Sequence, residues 1–268
     1  MVSVNNTNAL NTCSRTKDKN AIFLTMCVIY ALCLAALFVF GCLIHWHLSR
    51  DGIKYLHFSE LGAKNYYLNY PQEEIFPPLL VMLIIHINHF LGVPCQIIGI
   101  ALCIFAGALC PVVTFLGVYK LYHHYLLAIL SGMFFFLSTG LRNVSTDILR
   151  DAPSLCLNLA GICAYVYFRK TSLKRYVFAS GLLFTLAVGF RFETLEFFLI
   201  IPLFNVLLDL FCRKQSPKTI LRQFISLMPT CIFCILFGLF IIYLICMNSN
   251  YFVFERFLET AKRYYYAF

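Results

Sequence analysis

Charged residues stand where long apolar runs end, and they are the groups in this sequence that could do chemistry. Asp51 lies beside Gly52, directly after the first apolar run. A carboxylate held at a boundary between water and lipid can act as a general base toward an acceptor hydroxyl. The alternative is that the polar interval 50–78 is a solvated loop whose tyrosines form an interfacial aromatic belt.

Two further stretches combine acids with arginines. STDILRDAP carries Asp147, Arg150 and Asp151, which would share one face if the stretch were helical. GFRFETLEFF carries Arg191 and Glu193 between two short apolar runs. Arginine can bind phosphate oxygens bidentately, so this combination suits a phosphorylated lipid substrate. The alternative is a set of weak ion pairs at helix ends.

The composition excludes an ordinary soluble domain. Hydrophobic residues make up 61% of the 268 residues and charged residues only 12%, whereas a soluble domain has about 25% charged residues. The mean hydropathy is +0.80. The net charge of +9 would suggest nucleic acid as the partner of a soluble protein. Here we assign it to cytoplasmic loops and expect no nucleic-acid partner.

The apolar runs predict an all-α polytopic membrane protein with about seven transmembrane helices. The predicted spans are 21–46, 94–119, 125–141, 152–168, 176–190, 195–210 and 224–247. The run after Pro77-Pro78 is too short to span a bilayer of about 30 Å, and it contains His86, Asn88 and His89. We therefore interpret it as an external interfacial or re-entrant helix.

Basic residues orient these spans. With the N-terminus in the cytoplasm, 12 of the 21 lysines and arginines fall inside, together with only two of the 12 acids. The positive-inside rule favours this arrangement. It divides the chain into a flexible cytoplasmic tail (1–20), a membrane domain (21–247) with a first external loop (48–93), and an external C-terminal segment (248–268).

The order of these features resembles the type C (GT-C) membrane glycosyltransferases, especially the protein O-mannosyltransferase-like and aminoarabinose-transferase-like branch. The features are an anchor helix, then Arg50-Asp51-Gly52 with Tyr55, Pro77-Pro78-Leu79, Arg150-Asp151 after the third span, and GLLFTLAVGFRFE. Such enzymes transfer a sugar from a polyprenyl-phosphate carrier, with inversion, on the non-cytoplasmic face of a bacterial inner membrane, a plasma membrane or an endoplasmic reticulum membrane. The acceptor would be a glycan, a lipid or a protein.

The resemblance implies a role for each candidate residue. Asp51 would be the catalytic base, and Arg150 or Arg191 would bind the donor phosphate. Tyr55 would contact the substrate. The remaining candidates would shape the acceptor pocket or a metal site, with no cofactor assigned beyond an optional divalent cation; they are Asp147, Asp151 and Glu193.

The sequence departs from the resemblance in two respects. Many members carry Asp-Glu in the first loop, whereas this chain has Asp51-Gly52, and members are usually much longer. The alternatives are therefore a transporter or lipid flippase, an inactive fragment or subunit of GT-C type, and a lipid-binding module that would not need Asp51.

Overall fold

The structure is a computed structural model. It describes residues 25, 28–44, 47–69, 79–191, 194, 200, 232 and 235–240, and for 62–69 it describes the backbone alone. These residues form helices joined by short turns, and no strand occurs among them. The all-α class predicted from the sequence is thereby confirmed.

Eight helices follow one another in the described part of residues 28–190. They are α1 (Val28–Ile44), α2 (Arg50–Asn69), α3 (Leu79–Leu91), α4 (Cys95–Tyr122), α5 (Tyr125–Leu137), α6 (Thr139–Ser145), α7 (Asp151–Thr171) and α8 (Lys174–Phe190). The helix α4 alone, within the described part of the chain, has the length and the apolar composition to cross a bilayer. The bent pair of α5 and α6 would be a second such span if it is counted as one.

Helix α4 is the centre of the bundle. It packs extensively against α5 and α7, and α7 packs against α8. Short turns at 123–124 and 172–173 make α5 antiparallel to α4 and α8 antiparallel to α7. The bundle therefore has two ends. The α4 N-terminal end holds residues 47–52, 138–151 and 190–191, and the α4 C-terminal end holds residues 120–125 and 169–176.

Small residues allow α4 and α7 to run parallel in close contact. Cys103 Sγ donates to the Leu149 carbonyl at 3.2 Å, and one heptad further along each helix Cys110 and Cys156 are buried in one apolar cluster. The next pair is Gly117 and Cys163, where any β-carbon on Gly117 would overlap the Cys163 sulfur. The cysteines therefore act here as small packing residues, as their apolar context predicts.

Polar side chains connect α7 to α8. Ser180 Oγ donates to the Gly161 carbonyl at 2.8 Å, and Ser154 Oγ donates to the Ala187 carbonyl at 3.4 Å. The ring of Phe184 lies where a side chain at Gly161 would be. Hydroxyl groups that bond across helices in this way are typical of helix pairs packed in lipid.

The predicted first external loop contains two packed helices. On α2, Tyr55 and Phe58 are buried, and they belong to the same apolar cluster as Leu79, Leu80 and Ile84 of α3. The i, i+3 spacing of the two aromatic residues places them on one face of α2. The short helix predicted after Pro77-Pro78 is therefore present as α3. Whether it lies at a membrane surface stays a prediction.

The predicted third span, 125–141, is broken. Helix α5 ends at Leu137, and Ser138 accepts a hydrogen bond from the Leu141 amide at 3.2 Å, which caps α6. The two helices meet at an angle of 56°. The helix breaks here because a serine side chain can satisfy the free amides of a new helix. That this pair crosses a membrane as one span stays a prediction. The predicted spans 195–210 and 224–247 lie almost entirely outside the described residues.

Candidate functional site

Asp147 is a buried carboxylate at the α4 N-terminal end. Its side chain is 1% exposed. Oδ2 accepts the Ser49 amide at 3.1 Å, and Oδ1 accepts the Ile148 amide at 2.8 Å. Backbone amides that point at a carboxylate stabilise its charge, and the first turn of a helix adds a favourable dipole. Asp147 therefore fixes the start of α2 against a turn almost a hundred residues away.

Gly52 makes this contact possible. Ser49 is the N-cap of α2, since its Oγ accepts the Gly52 amide at 3.1 Å. In a capping box the third helical residue is an acid that reaches back to the N-cap amide. Here that residue is Gly52, and Asp147 accepts the Ser49 amide in its place. A β-carbon at position 52 would overlap Asp147 Oδ1. Asp147 thus occupies the space that an acid after Asp51 would need.

Asp51 lies in the first turn of α2 and is exposed. It neighbours Gly52, and so it stands beside the contact between α2 and Asp147. No hydrogen bond or ion pair joins Asp51 to another residue in the described ranges. Its carboxylate therefore stays accessible from solvent, and the N-terminus of α2 favours its negative charge.

Asp151 and Arg191 form an ion pair. Asp151 is the first residue of α7 and Arg191 follows the last residue of α8, so the antiparallel pair of helices brings them together. The Arg191 side chain is 40% exposed and the Asp151 side chain 26%. An acid at a helix N-terminus and a base at a helix C-terminus each complement the helix dipole. One partner of Arg191 is thus a carboxylate of the candidate set.

The condition for one helical face across Asp147, Arg150 and Asp151 is not met, because this stretch is not a single helix. Residues 146–150 form a turn, and α7 begins only at Asp151. The His47 amide donates to the Thr146 carbonyl at 3.4 Å, which fastens this turn to the chain before α2. Asp147 therefore lies against α2, whereas Asp151 lies against the end of α8.

The other predicted residues have different surroundings. Arg150 is half-buried at the N-cap position of α7, in the same turn. Tyr55 is 3% exposed in the apolar cluster between α2 and α3, so its ring packs in the core. Glu193 lies outside the described residues. Within the described part of the chain, no group of three metal-binding side chains converges, and the divalent cation stays a prediction.

Asn158 is a polar residue that is not among the candidates predicted from the sequence. It is 5% exposed, and its Oδ1 accepts no hydrogen bond from any residue that the structure describes. It follows Asp151 and Ser154 at helical spacing, so a polar row runs along α7 from the ion pair into the bundle. A lone asparagine within the apolar run SLCLNLAGICA was the available signal.

An apolar groove lies between α1 and α4 near the same end. Its volume is about 660 Å³. Aliphatic side chains form most of its wall, and Gln96 is the polar residue in it; the wall includes Val39, Leu43, Ile97, Ile100 and Ile104. Gly99, within this stretch of α4, packs against the turn that carries Asp147, and a β-carbon on it would lie 3.0 Å from the Ile148 side chain. The same stretch of α4 therefore lines the groove and contacts the turn that carries Asp147.

Comparison with known proteins adds no relative. None of the protein-family models, curated proteins or solved structures that we searched matches this chain. The function must therefore be argued from the site itself.

Proposed function

We propose that this protein is a membrane-embedded glycosyltransferase of GT-C type, which transfers a sugar from a polyprenyl-phosphate-linked donor to an acceptor outside the cytoplasm. The observation that carries the proposal is that two charged contacts lie at the same end of the bundle: Asp147 against the start of α2, beside Asp51, and the ion pair of Asp151 with Arg191. These residues come from three separate stretches of the sequence. The same stretches carry the resemblance to that enzyme class.

The outward faces of the helices support the membrane placement. Phe40 of α1 and Phe105 of α4 are each 63% exposed, and Phe134 of α5 is 72% exposed. Large apolar side chains exposed on several helices are expected where lipid rather than water surrounds a bundle. We therefore extend the arrangement to the seven predicted spans, with the N-terminus in the cytoplasm and α3 at the outer surface.

The chemistry assigns Asp51 as the base. Its carboxylate would take the proton from an acceptor hydroxyl while the acceptor oxygen attacks the anomeric carbon of the sugar. The bond from that carbon to the phosphate oxygen breaks, and the lipid phosphate leaves with the electron pair, which inverts the anomeric centre. Asp147 holds α2, and therefore Asp51, in place.

The donor phosphate would be bound by arginine. Arg191 is paired with Asp151 and is still 40% exposed, so an incoming phosphate can share or replace this carboxylate. Arg150, in the adjacent turn, is the second candidate. The hydrocarbon chain of the donor would lie in the groove between α1 and α4, whose wall is almost entirely apolar.

A transfer assay tests the proposal. Protein reconstituted in vesicles would receive a radiolabelled polyprenyl-phosphate sugar and a membrane extract as the acceptor source. We expect Asp51→Asn to lower the transfer rate by about 10²–10⁴-fold, the usual contribution of a general base. Glu60→Gln is the matched control, since Glu60 is an exposed acid on the same helix. Full activity of Asp51→Asn would exclude the proposed base.

A membrane transporter is the second candidate. The observation that favours it is the polar row on α7, in which the buried Asn158 Oδ1 has no hydrogen-bond partner among the described residues. Buried polar groups inside membrane helices often mark a substrate or ion path. Transport of a solute by the reconstituted protein, abolished by Asn158→Leu but not by Asp51→Asn, would support this candidate over the transferase.

A further inference from the structure

The α4 C-terminal end carries a row of two tyrosines flanked by two cations, which links three helices. Lys120 of α4 places its Nζ 5.7 Å from the centre of the Tyr167 ring of α7. Tyr167 meets Tyr176 of α8 edge to face, with 4.5 Å between the ring centres. The guanidinium of Arg175 lies 5.1 Å from the centre of the Tyr176 ring. We call these four residues the cation–tyrosine row.

The row lies in a region of one charge sign. Lys170 adds an ammonium group, which donates to the Leu121 carbonyl at 2.6 Å, and Lys174 follows at the start of α8. None of Lys120, Lys170, Lys174 and Arg175 pairs with a carboxylate among the described residues. Like charges this close repel one another, and a bound anion would relieve the repulsion.

The aromatic rings indicate where this anion comes from. Tyrosine is enriched at the depth of lipid headgroups, where its ring contacts hydrocarbon and its hydroxyl contacts water. Basic residues between helix ends at the cytoplasmic surface are typical of sites that bind acidic lipid headgroups. Lys120 and Arg175 are exposed, so both can donate to an external phosphate. A freely dissolved phosphate would not need the flanking rings.

We propose that the cation–tyrosine row binds the phosphodiester headgroup of an anionic phospholipid in the cytoplasmic leaflet. Lys120 and Arg175 donate to the phosphate oxygens, and the two tyrosine rings hold the cations at headgroup depth. This inference rests on the membrane placement given under the proposed function, but it does not depend on sugar transfer. It assigns the α4 C-terminal end a ligand of its own, distinct from the donor.

Lipid retention measures this binding. The protein would be reconstituted in vesicles of phosphatidylglycerol and phosphatidylcholine in equal parts, extracted in mild detergent, and analysed for bound lipid by native mass spectrometry. We expect a preference for phosphatidylglycerol that falls about 30-fold in Lys120→Gln/Arg175→Gln, since each basic residue near an anionic lipid surface contributes about fivefold. The charge-preserving pair Lys120→Arg/Arg175→Lys should keep most of the preference.

The controls separate this site from general attraction and from misfolding. Arg50→Gln/Lys54→Gln removes the same charge from the other end of the bundle and should leave the preference within about twofold. Thermal unfolding in pure phosphatidylcholine reports whether each variant is folded. An equal loss in both neutral pairs, an equal loss in the charge-preserving pair, or displacement of the lipid by dissolved glycerol phosphate would each overturn the proposal.

The outcomes also distinguish this inference from the proposed function. A lipid preference that survives in a protein without transferase activity would support the lipid site and contradict the transferase. Failure of the wild-type protein to remain in vesicles of either lipid would contradict the membrane placement, and the lipid site with it.

Discussion

The two ends of the bundle are built on different principles. At the α4 N-terminal end, Asp147 is fully buried and bonds to the Ser49 amide, 98 positions earlier in the chain. At the α4 C-terminal end, the cations are exposed and lie on the last turns of α4 and α7 and the first turn of α8. Acids and arginines mix at the first end, whereas the second carries positive charge. The first end therefore depends on one long-range fit, and the second on accumulated surface charge.

This difference predicts where substitutions cost stability. When either a buried carboxylate or its hydrogen-bond partners are removed, the groups that remain are unsatisfied and away from water. Exposed cations lose little because water replaces their partners. Substitutions at the first end should therefore have the larger effects on the free energy of unfolding.

The largest effect is expected at Asp147. Asp147→Ala leaves the Ser49 and Ile148 amides without their acceptor, and we expect the free energy of unfolding to fall by about 3 kcal/mol. Thermal and denaturant unfolding in detergent would measure this loss. Lys174→Ala, at the start of α8 on the other end, should change it by less than about 0.5 kcal/mol. Similar losses in the two variants would contradict the contrast between the ends.

A second substitution should rescue the first. Gly52→Glu alone overlaps the Asp147 carboxylate and should destabilise by about 1–3 kcal/mol. In Asp147→Ala/Gly52→Glu the overlap is gone, and the introduced glutamate can accept the Ser49 amide as in a capping box. We expect the double variant to be more stable than either single variant. Additive losses in a double-mutant cycle would mean that Gly52 and Asp147 do not share this space.

The sequence predicted some parts of this end and missed others for physical reasons. The apolar run 94–119 closely predicted the bounds of α4, Cys95–Tyr122. A long continuous apolar helix is visible in the sequence without knowledge of its packing partners. The contact of Gly52 with Asp147 had no local signal, since it depends on how α4 packs against the turn 146–150. This contact can be recognised only from the tertiary structure.

Other misses had a local signal. Ser49-x-x-Gly52 is an N-cap pattern, and Tyr55 and Phe58 follow it at helical spacing. Only 12 of the 29 residues in the interval 50–78 are apolar, which favours a loop, although one apolar face suffices for a helix that packs on the bundle. Ser138 is likewise a helix start inside an apolar run, and the run concealed it.

An intermediate effect is expected at Asn158. Its Oδ1 is buried and no donor in the described ranges reaches it, so Asn158→Leu removes an unsatisfied group and should raise the free energy of unfolding by about 1 kcal/mol. Ser180→Ala removes a satisfied hydroxyl bond to the Gly161 carbonyl on the same helix pair and should lower it by about 1 kcal/mol. Thermal unfolding of both variants measures the sign. A loss in Asn158→Leu would show that Asn158 has a stabilising partner.

The smallest effect on stability is expected at Arg191. The ion pair with Asp151 is partly exposed, so solvent screens it and Arg191→Ala should cost less than about 1 kcal/mol. Affinity for the polyprenyl-phosphate sugar should nevertheless fall clearly, and Arg191→Lys should recover only part of it, because an ammonium cannot bind phosphate bidentately. Equal donor affinity in the wild type and both variants would place the phosphate elsewhere, with Arg150 as the next candidate.

The central claim is that the two ends face opposite sides of a membrane, with the acids outside. Cysteines introduced as Glu60→Cys and Lys174→Cys would be labelled in sealed vesicles by a membrane-impermeant maleimide, with the unmodified protein as background. With the outer face exposed, we expect Glu60→Cys to be labelled at once and Lys174→Cys only after the vesicles are opened. Labelling of both positions from the same side would contradict the account, since the carboxylates and the cation–tyrosine row would then share one face.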